Sequence, residues 1–502
     1  MAPDQRLWKR AVSRRTAIKA GMAGSLAAEI ALFEGLVQAP QRMAMAAATP
    51  SDIQFDIGAF IPPAQNINGI PFQFPPVFTG FFPSTLNRTP TRTDQSTLAN
   101  ALNTIEAAYP WSPSGIFTFV SYGIPYFNRL PGGINGSLVQ QFMPKLLSNT
   151  SRNALEEAVP GPTDVSPVNP TITKERFNVP VRIEANDVLF TFRSDTLNNI
   201  QNVLDWLRGR TAILNGSFVV PPNWNNLFNF GAPRTMFAQQ GLPKQIAQSA
   251  GFEFAGRIRD TSPMWMSFAD QQVNGSGPAA ITTFAGNASA HFTNKVAGNY
   301  FDHGTMQHLS HVILDLAQWY ATAAQDPPDG ETYTERVQYM FRSNDSSTAD
   351  GLPNHGFADQ FTNGGGPAFL PNRFQGTGDA ALNARAIGTF EGEHRMGHLS
   401  ALQRTSRASD GTPVHVRNDG PGFDNMDVPN GTRQPKLQFT VFVPTSEFFR
   451  QLRISSASLD LCNQFGVPDE DNGLERFSTA TRRQNFLMPP RRHRSFPLVE
   501  FT

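Results

Sequence analysis

Residues 437–452, LQFTVFVPTSEFFRQL, decide the fold class. From Leu437 to Val443 the run alternates and is rich in β-branched and aromatic residues, the pattern of a half-buried strand. Thr445 or Ser446 then supplies an N-cap, and Phe448, Phe449 and Leu452 recur at helical spacing. Residues 188–204, VLFTFRSDTLNNIQNVL, repeat this grammar. Val188–Phe192 reads as the strand, and Asp195 caps a helix with Leu197, Ile200, Val203 and Leu204 on one face. Two widely spaced strand–helix units predict an α+β fold with antiparallel sheets and are compatible with a duplicated domain.

Working outward, the spacing predicts a helix from Thr97 to Ala108, ended by Tyr109-Pro110-Trp111, and a strand at Ile116–Val120. Residues 306–320, MQHLSHVILDLAQWY, place apolar residues at helical spacing and predict a second clear helix. Residues 49–100 are rich in Pro and Phe and read as an extended arm over the core. Residues 145–180 carry several prolines and read as a long linker. Residues 344–383, rich in Gly, Asn and Asp without apolar periodicity, read as a flexible insertion. Rossmann glycines, a P-loop and a G-x-S-x-G elbow are all missing from the sequence.

The 502 residues carry 41 Lys+Arg against 41 Asp+Glu, so a broad nucleic-acid-binding surface is not expected. One cysteine, Cys462, excludes an intramolecular disulfide framework and any multi-cysteine metal site. Charged residues make up 16%, below the ~25% common in soluble domains. Part of this neutrality comes from the N-terminus. Ser13-Arg14-Arg15-Thr16-Ala17-Ile18-Lys19 reads as a twin-arginine export signal, followed by a modestly apolar stretch to Leu36 and A-x-A-like cleavage sites at 44–48. Glu29 and Glu34 within that stretch argue against a membrane span. The expected destination is periplasmic or extracellular, reached through the twin-arginine machinery. Residues 1–48 hold seven Lys+Arg and three Asp+Glu, so their removal leaves 34 basic against 38 acidic residues, a net charge of −4.

Two histidine groups bear on chemistry. On the predicted helix His308 and His311 would share a face, within reach of His303 or Asp302. Without an H-E-x-x-H pattern, packed and hydrogen-bonded histidines are the favoured reading over a metal site. The other group lies in residues 394–417, HRMGHLSALQRTSRASDGTPVHVR, where His398 precedes a turn at Asp410–Pro413 and a short strand at Val414–Arg417. A third segment, beginning at Met264 and reading MWMSFADQ, sets Asp270 among large apolar residues. Such a carboxylate is either solvated on a loop or tuned in its pKa, and composition favours the loop.

The stretch from His398 through the Asp410–Pro413 turn to Arg417, followed by the strand 437–443 and its helix, resembles the C-terminal half of dye-decolorizing-type haem peroxidases. That resemblance implies heme b as cofactor, His398 as the proximal iron ligand and Arg417 as the distal arginine. His394, four residues earlier, competes for the ligand role. Asp270 is similar to the distal aspartate, with Ser267 and Gln271 standing where the family's G-x-x-D-G motif has glycine. His415 shares the strand face of Arg417, but a surface position is the favoured reading for it. A closer resemblance, discontinuous over roughly residues 100–500, is to a group of peroxidase-related, twin-arginine-exported prokaryotic proteins. It is carried by the Ala108–Ser112, Tyr122–Phe127 and Phe284–Gly286 blocks and by the tail Asn485–Arg491.

The resemblance implies two ferredoxin-like halves (a dimeric α+β barrel) with long loop insertions. The expected division is a signal peptide at 1–48, an arm at 49–100, an N-terminal half at 101–260, and a haem-binding half at 261–502 with an insertion near 344–383. It implies hydrogen peroxide and a small or aromatic reductant as partners, and it leaves an oligomer open. In that reading Asp270 moves a proton and Arg417 stabilises negative charge or holds a propionate. Trp111, Tyr122 and Trp319 are candidates for relaying oxidation to the surface. The competing functions are a haem-binding or haem-handling protein with little peroxidase activity, and a cofactor-free exported scaffold.

Overall fold

The computed structural model describes residues 49–63, 65–67, 70–72, 74–260, 262–267, 279–286, 292–321, 415–457 and 473–502, with isolated positions at 33, 36, 37, 333, 459 and 463. Both strand–helix units form where their patterns place them. The first gives strand Val188–Ser194 and helix Leu197–Leu207, whose Leu197, Ile200, Val203 and Leu204 are buried. Its N-cap is Thr196, whose hydroxyl accepts from Asn199 N. Asp195, the expected cap, instead accepts from Val77 N across to the neighbouring strand. The second unit gives strand Gln434–Val443 and helix Ser446–Ala457.

Among the described residues, eleven strands share one hydrogen-bonded sheet. In chain order they are β1 (Phe78–Leu86), β2 (Phe117–Tyr122), β3 (Arg182–Ile183), β4 (Val188–Ser194), β5 (Phe228–Phe230), β6 (Arg234–Phe237), β7 (Thr305–Leu314), β8 (Val416–Arg417), β9 (Gly420–Asp424), β10 (Gln434–Val443) and β11 (Ser478–Met488). The main helices are α1 (Arg92–Ala108), α2 (Leu197–Leu207) and α3 (Ser446–Ala457). α1 begins before the predicted Thr97 because Thr91 and Asp94 form a reciprocal capping box.

The strand order is β6-β1-β4-β2-β11-β7-β10-β8, with β9 also on β10, β5 on β1 and β3 parallel to β11. In the first half the chain runs β1-α1-β2-β4-α2-β6, and the sheet order is fourth, first, third, second. That is the ferredoxin-like arrangement. The second half repeats it as β11-β7-β10 with β8 and β9 beyond. The halves meet at a single register pair, Leu487 with Tyr122. Beside it the Gln54 side chain accepts from Val120 N and donates to Val120 O and Pro489 O, standing in for ladder bonds. At the opposite edge β6 approaches β9, where a Cβ on Gly422 would lie 2.9 Å from Thr235 O. Glycine permits that approach, and the sheet closes into a barrel. Phe81 and Leu189 of the first half, with Met236, meet Leu309 and Phe486 of the second half in its interior.

Two expectations are corrected. Residues 78–86 are not arm but β1, buried between β4 and the β5/β6 edge. Pro83 is tolerated there because its carbonyl faces Gly231 N, and its missing N–H falls on that same side, between the β5 and β6 partners. The first half therefore starts at Phe78 rather than 101. Residues 53–61 do lie over the core, where Phe55 stacks on Phe442 at 4.1 Å.

The second correction concerns 306–320. Thr305–Leu314 is a strand, β7, and only Leu316–Trp319 is helical. β7 is paired on both edges and buried at every position, so both faces hold core residues and the apolar period of two disappears. His308 and His311 thus point to opposite faces. The inserted residue of β11, Thr481, bulges opposite the His311/Val312 step.

Of the expected signal segment only Phe33, Leu36 and Val37 are described, and Phe33 packs against Phe78 and Phe237. The expected insertion at 344–383 lies outside the described residues. No described helix is long and apolar enough to cross a membrane.

Candidate functional site

The helix-side face of the second half carries Val312, Leu314, Leu437, Phe439 and Ala480, because alternate residues of β7, β10 and β11 point that way. α3 covers part of this face with Phe448, Phe449 and Leu452. Between Leu452, Arg453 and Ser456 of α3, the sheet, the Met264–Met266 loop and residues 415–421 lies a cavity of about 160 Å³. Its walls are largely apolar, and Asp164, Arg417, Asp419, Arg453, Glu475 and Arg483 bring charge to it.

The Met264–Met266 loop is fixed from below. Trp265 is buried, and its Nε1 donates to Gly422 O at 3.0 Å. Ser267 adopts φ +65°, a left-handed conformation that costs a non-glycine residue about 1–2 kcal/mol. Its hydroxyl compensates within a chain of hydrogen bonds. Arg259 N donates to Ser267 Oγ at 3.0 Å, Ser267 Oγ meets Tyr320 Oη at 2.7 Å, and Tyr320 Oη donates to Trp265 O at 2.7 Å. Ser267 thus keeps a backbone conformation that glycine adopts freely.

Ion pairs line the polar wall. Arg483 grips Asp164 through Nε and Nη2, both at 2.7 Å, and Arg453 Nη2 donates to Glu475 Oε2 at 2.7 Å. Burial alone would raise the Asp164 carboxyl, but the charge and hydrogen bonds of Arg483 outweigh it and hold the group well below the usual carboxylate range. Arg483 Nη1 also donates to Ser310 Oγ, which lies 2.6 Å from His308 Nε2. His308 Nδ1 faces Asn485 Oδ1 at 2.6 Å, and its ring stacks on Phe449. Burial, then the nearby Arg483 charge, pushes the His308 imidazole far down, so it is neutral with its proton on Nδ1.

On the barrel side His311 Nε2 lies 3.1 Å from Asp424 Oδ2, and Lys436 Nζ is 3.5 Å from Asp424 Oδ1. Burial would raise the Asp424 carboxyl; His311 and Lys436 outweigh that and keep it ionised. Both histidines are hydrogen-bonded packing groups. Asp302 and His303 do form a cluster, but with Asp52, and Arg492 already bridges Asp52 and Asp302. That node is an ion-pair network.

Of the expected site residues, Arg417 lies on β8 in register with Val441 and lines the cavity. His415 is buried and lines it too, against the expectation of a surface position. Asp270, His394 and His398 lie outside the described residues; the Met264–Ser267 loop that leads to Asp270 reaches the same cavity as Arg417. Trp319 and Tyr122 are fully buried, and Trp111 lies under the Arg491 guanidinium at 4.4 Å. Sequence reasoning missed Asp164, Arg453, Glu475 and Arg483. Arg453 left one signal, a charge on the apolar face of α3 four residues after Phe449.

A model for a family of unknown function, DUF7405, matches residues 80–159 and 153–490. The chain belongs to that family. No curated protein matches this DUF7405 member. Among solved structures it is similar to the DyP-type peroxidase from Cellulomonas bogoriensis, with 14% identity, 88% of this chain and 96% of that one covered, and a TM-score of 0.45. It is similar to the encapsulated DyP-type peroxidase from Mycobacterium smegmatis, with 14% identity, coverage of 88% and 97%, and a TM-score of 0.44. A DypB variant from Rhodococcus jostii in complex with heme gives 12% identity, coverage of 83% and 94%, and a TM-score of 0.43.

The cavity was tested against haem by its chemistry. A porphyrin needs apolar walls for the ring and cations for two carboxylates. Val312, Leu437 and Phe439 supply the first and Arg417 and Arg453 the second, so the residues present fit.

Proposed function

We propose that this chain is an exported, hydrogen-peroxide-dependent haem peroxidase of the dye-decolorizing type that oxidises small or aromatic donors. The observation that carries the reading is the cavity on the second ferredoxin-like half, where Arg417 and the loop leading to Asp270 share one apolar chamber. Haem, when bound, supplies the iron at which peroxide is reduced. His398 is the residue proposed to hold it, with His394 as the competitor. A ring of that size needs more than the 160 Å³ bounded by the described walls.

The chain's own residues then divide the work. The Asp270 carboxylate takes a proton from one peroxide oxygen and returns it to the other, as base and then acid. Arg417 remains protonated and sets a fixed positive charge in a chamber of low dielectric, where it stabilises negative charge on the departing oxygen. The buried Trp265 and the Ser267–Tyr320 bond hold the loop before Asp270 in place. Twin-arginine export is the proposed route, since it carries folded, loaded cargo.

The test begins with an absorbance spectrum of protein produced with haem supplied. A Soret band, peroxide-dependent dye oxidation at acidic pH, and loss of the band in His398→Ala support the reading. A band without dye oxidation leaves a haem-handling protein, and no band leaves the cofactor-free scaffold. Recovery of the chain in the periplasm or medium, dependent on Arg14 and Arg15, tests the route.

A further inference from the structure

The polar wall of the cavity holds more cation than its carboxylates use. Arg483 engages both oxygens of Asp164. Glu475 Oε2 receives Arg453 Nη2 at 2.7 Å and Thr163 Oγ1 at 2.5 Å. The ammonium of half-buried Lys174, behind this wall, hydrogen-bonds the Glu475 backbone carbonyl at 2.5 Å and, within the described residues, no side chain. Three cations therefore face two carboxylates. The other charged lining residues, Arg417 and Asp419, bring one charge of each sign.

Arg453 is the group with capacity to spare. A guanidinium carries five N–H donors in a planar fork. The bond to Glu475 is its single hydrogen bond within the described residues, and its Nε is buried without a partner there. Gly161 stands beside that nitrogen, where a Cβ would come within 3.3 Å of it. A donor withdrawn from water without a partner is costly, and a planar fork matches an oxyanion bidentately. The apolar walls exclude a small hydrophilic anion as the preferred occupant, since it would leave Val312, Leu437 and Phe439 uncovered.

We propose that the cavity takes an acidic ligand, an apolar body bearing a carboxylate, and that Arg453 on α3 holds the carboxylate. This rests on the cavity being the ligand site of the proposed function. If the ligand is haem, the carboxylate is one of its propionates, and Arg453, not only Arg417, anchors it.

The experiment titrates the full chain with iron protoporphyrin IX and with its dimethyl ester, read by the Soret band. Wild type prefers the diacid by about tenfold, the worth of one charge-assisted hydrogen bond. Arg453→Gln leaves Lys174 and Thr163 with Glu475; it is expected to bind the ester as wild type does and to lose the preference. Arg417→Gln keeps the part of the preference that Arg453 supplies. Equal binding of diacid and ester by wild type, an undiminished preference in Arg453→Gln, or a preference lost only in Arg417→Gln overturns the assignment. If wild type binds neither porphyrin, the haem reading fails on its own account. The acid assignment is then decided with cis-parinaric acid and its methyl ester, read by fluorescence. Preference for the acid that disappears in Arg453→Gln supports it, and equal or absent binding overturns it. Circular dichroism of each variant checks that the fold is retained.

Discussion

Ser267 offers the sharpest test of how the loop before Asp270 is held. Its φ of +65° costs an L-residue about 1–2 kcal/mol, and its hydroxyl makes two hydrogen bonds, from Arg259 N and to Tyr320 Oη, worth about 1 kcal/mol each. Ser267→Ala removes both bonds and keeps the backbone cost. Ser267→Gly removes the same bonds but relieves that cost, returning about 0.4–1 kcal/mol through the greater freedom of its unfolded chain. The two variants therefore differ only in backbone terms, and alanine should be the less stable by about 1 kcal/mol, roughly fivefold in the folding equilibrium. Urea unfolding followed by tryptophan fluorescence reads this directly, since Trp265 is buried two residues away. Glycine itself should be less stable than wild type by about 1 kcal/mol, because bond loss exceeds the net strain relief. An alanine variant as stable as the glycine variant would refute the strained loop and the argument that Ser267 reproduces a glycine position.

Three further outcomes are expected. Leu309→Ala, between the two halves against Phe81 and Phe486, should cost about 2–5 kcal/mol in urea unfolding, as buried leucine truncations do. Burial would raise the Asp427 carboxyl, but hydrogen bonds and charge from Arg482 bring it from 3.8 to about 2. A depressed carboxyl stabilises the fold above its unfolded value and loses that contribution as pH falls towards 2, so Asp427→Asn should flatten the acid limb of a stability–pH curve between about pH 4 and 2. Under the proposed function, Asp270→Asn should lower peroxide-dependent turnover by about 10²–10⁴-fold at unchanged Soret absorbance, and unchanged turnover would remove the proton role.

What the sequence revealed follows from how water is distributed around each element. In α2 one face meets the core and the other does not, so the helical period survives, while β4, buried at every position, reads as a strand through its run of Val, Leu, Phe and Thr. At β7 both faces are covered, and Leu309, Val312, Ile313 and Leu316 happen to recur at helical spacing, so a strand reads as a helix. Pro83 disguised β1, because only the three-dimensional break between β5 and β6 makes its missing N–H harmless. Arg417 and the 264–267 loop were singled out through family resemblance, and both border the cavity. Asp164, Arg453, Glu475 and Arg483 were not, since their pairing joins positions far apart in the chain and leaves no local pattern.

The duplication also accounts for where the cavity lies. Each ferredoxin-like half has one sheet face that two helices can cover. In the first half α1 and α2 do so, packing Leu98, Leu102, Ile200 and Val203 with the inner aromatics Phe82, Phe190 and Phe192 in one apolar cluster. In the second half α3 covers its share. The other crossover, from β7 to β8, is described at Asp315–Ala321 and Tyr333, where the Tyr333 ring packs on Trp319 and Tyr320. The cavity lies on this corresponding face, beside α3 and bounded by the Met264–Met266 loop and residues 415–421. The segment that makes that crossover carries both His394 and His398. The proposal that either of them holds iron therefore rests on the family resemblance, and the His398→Ala spectrum decides it.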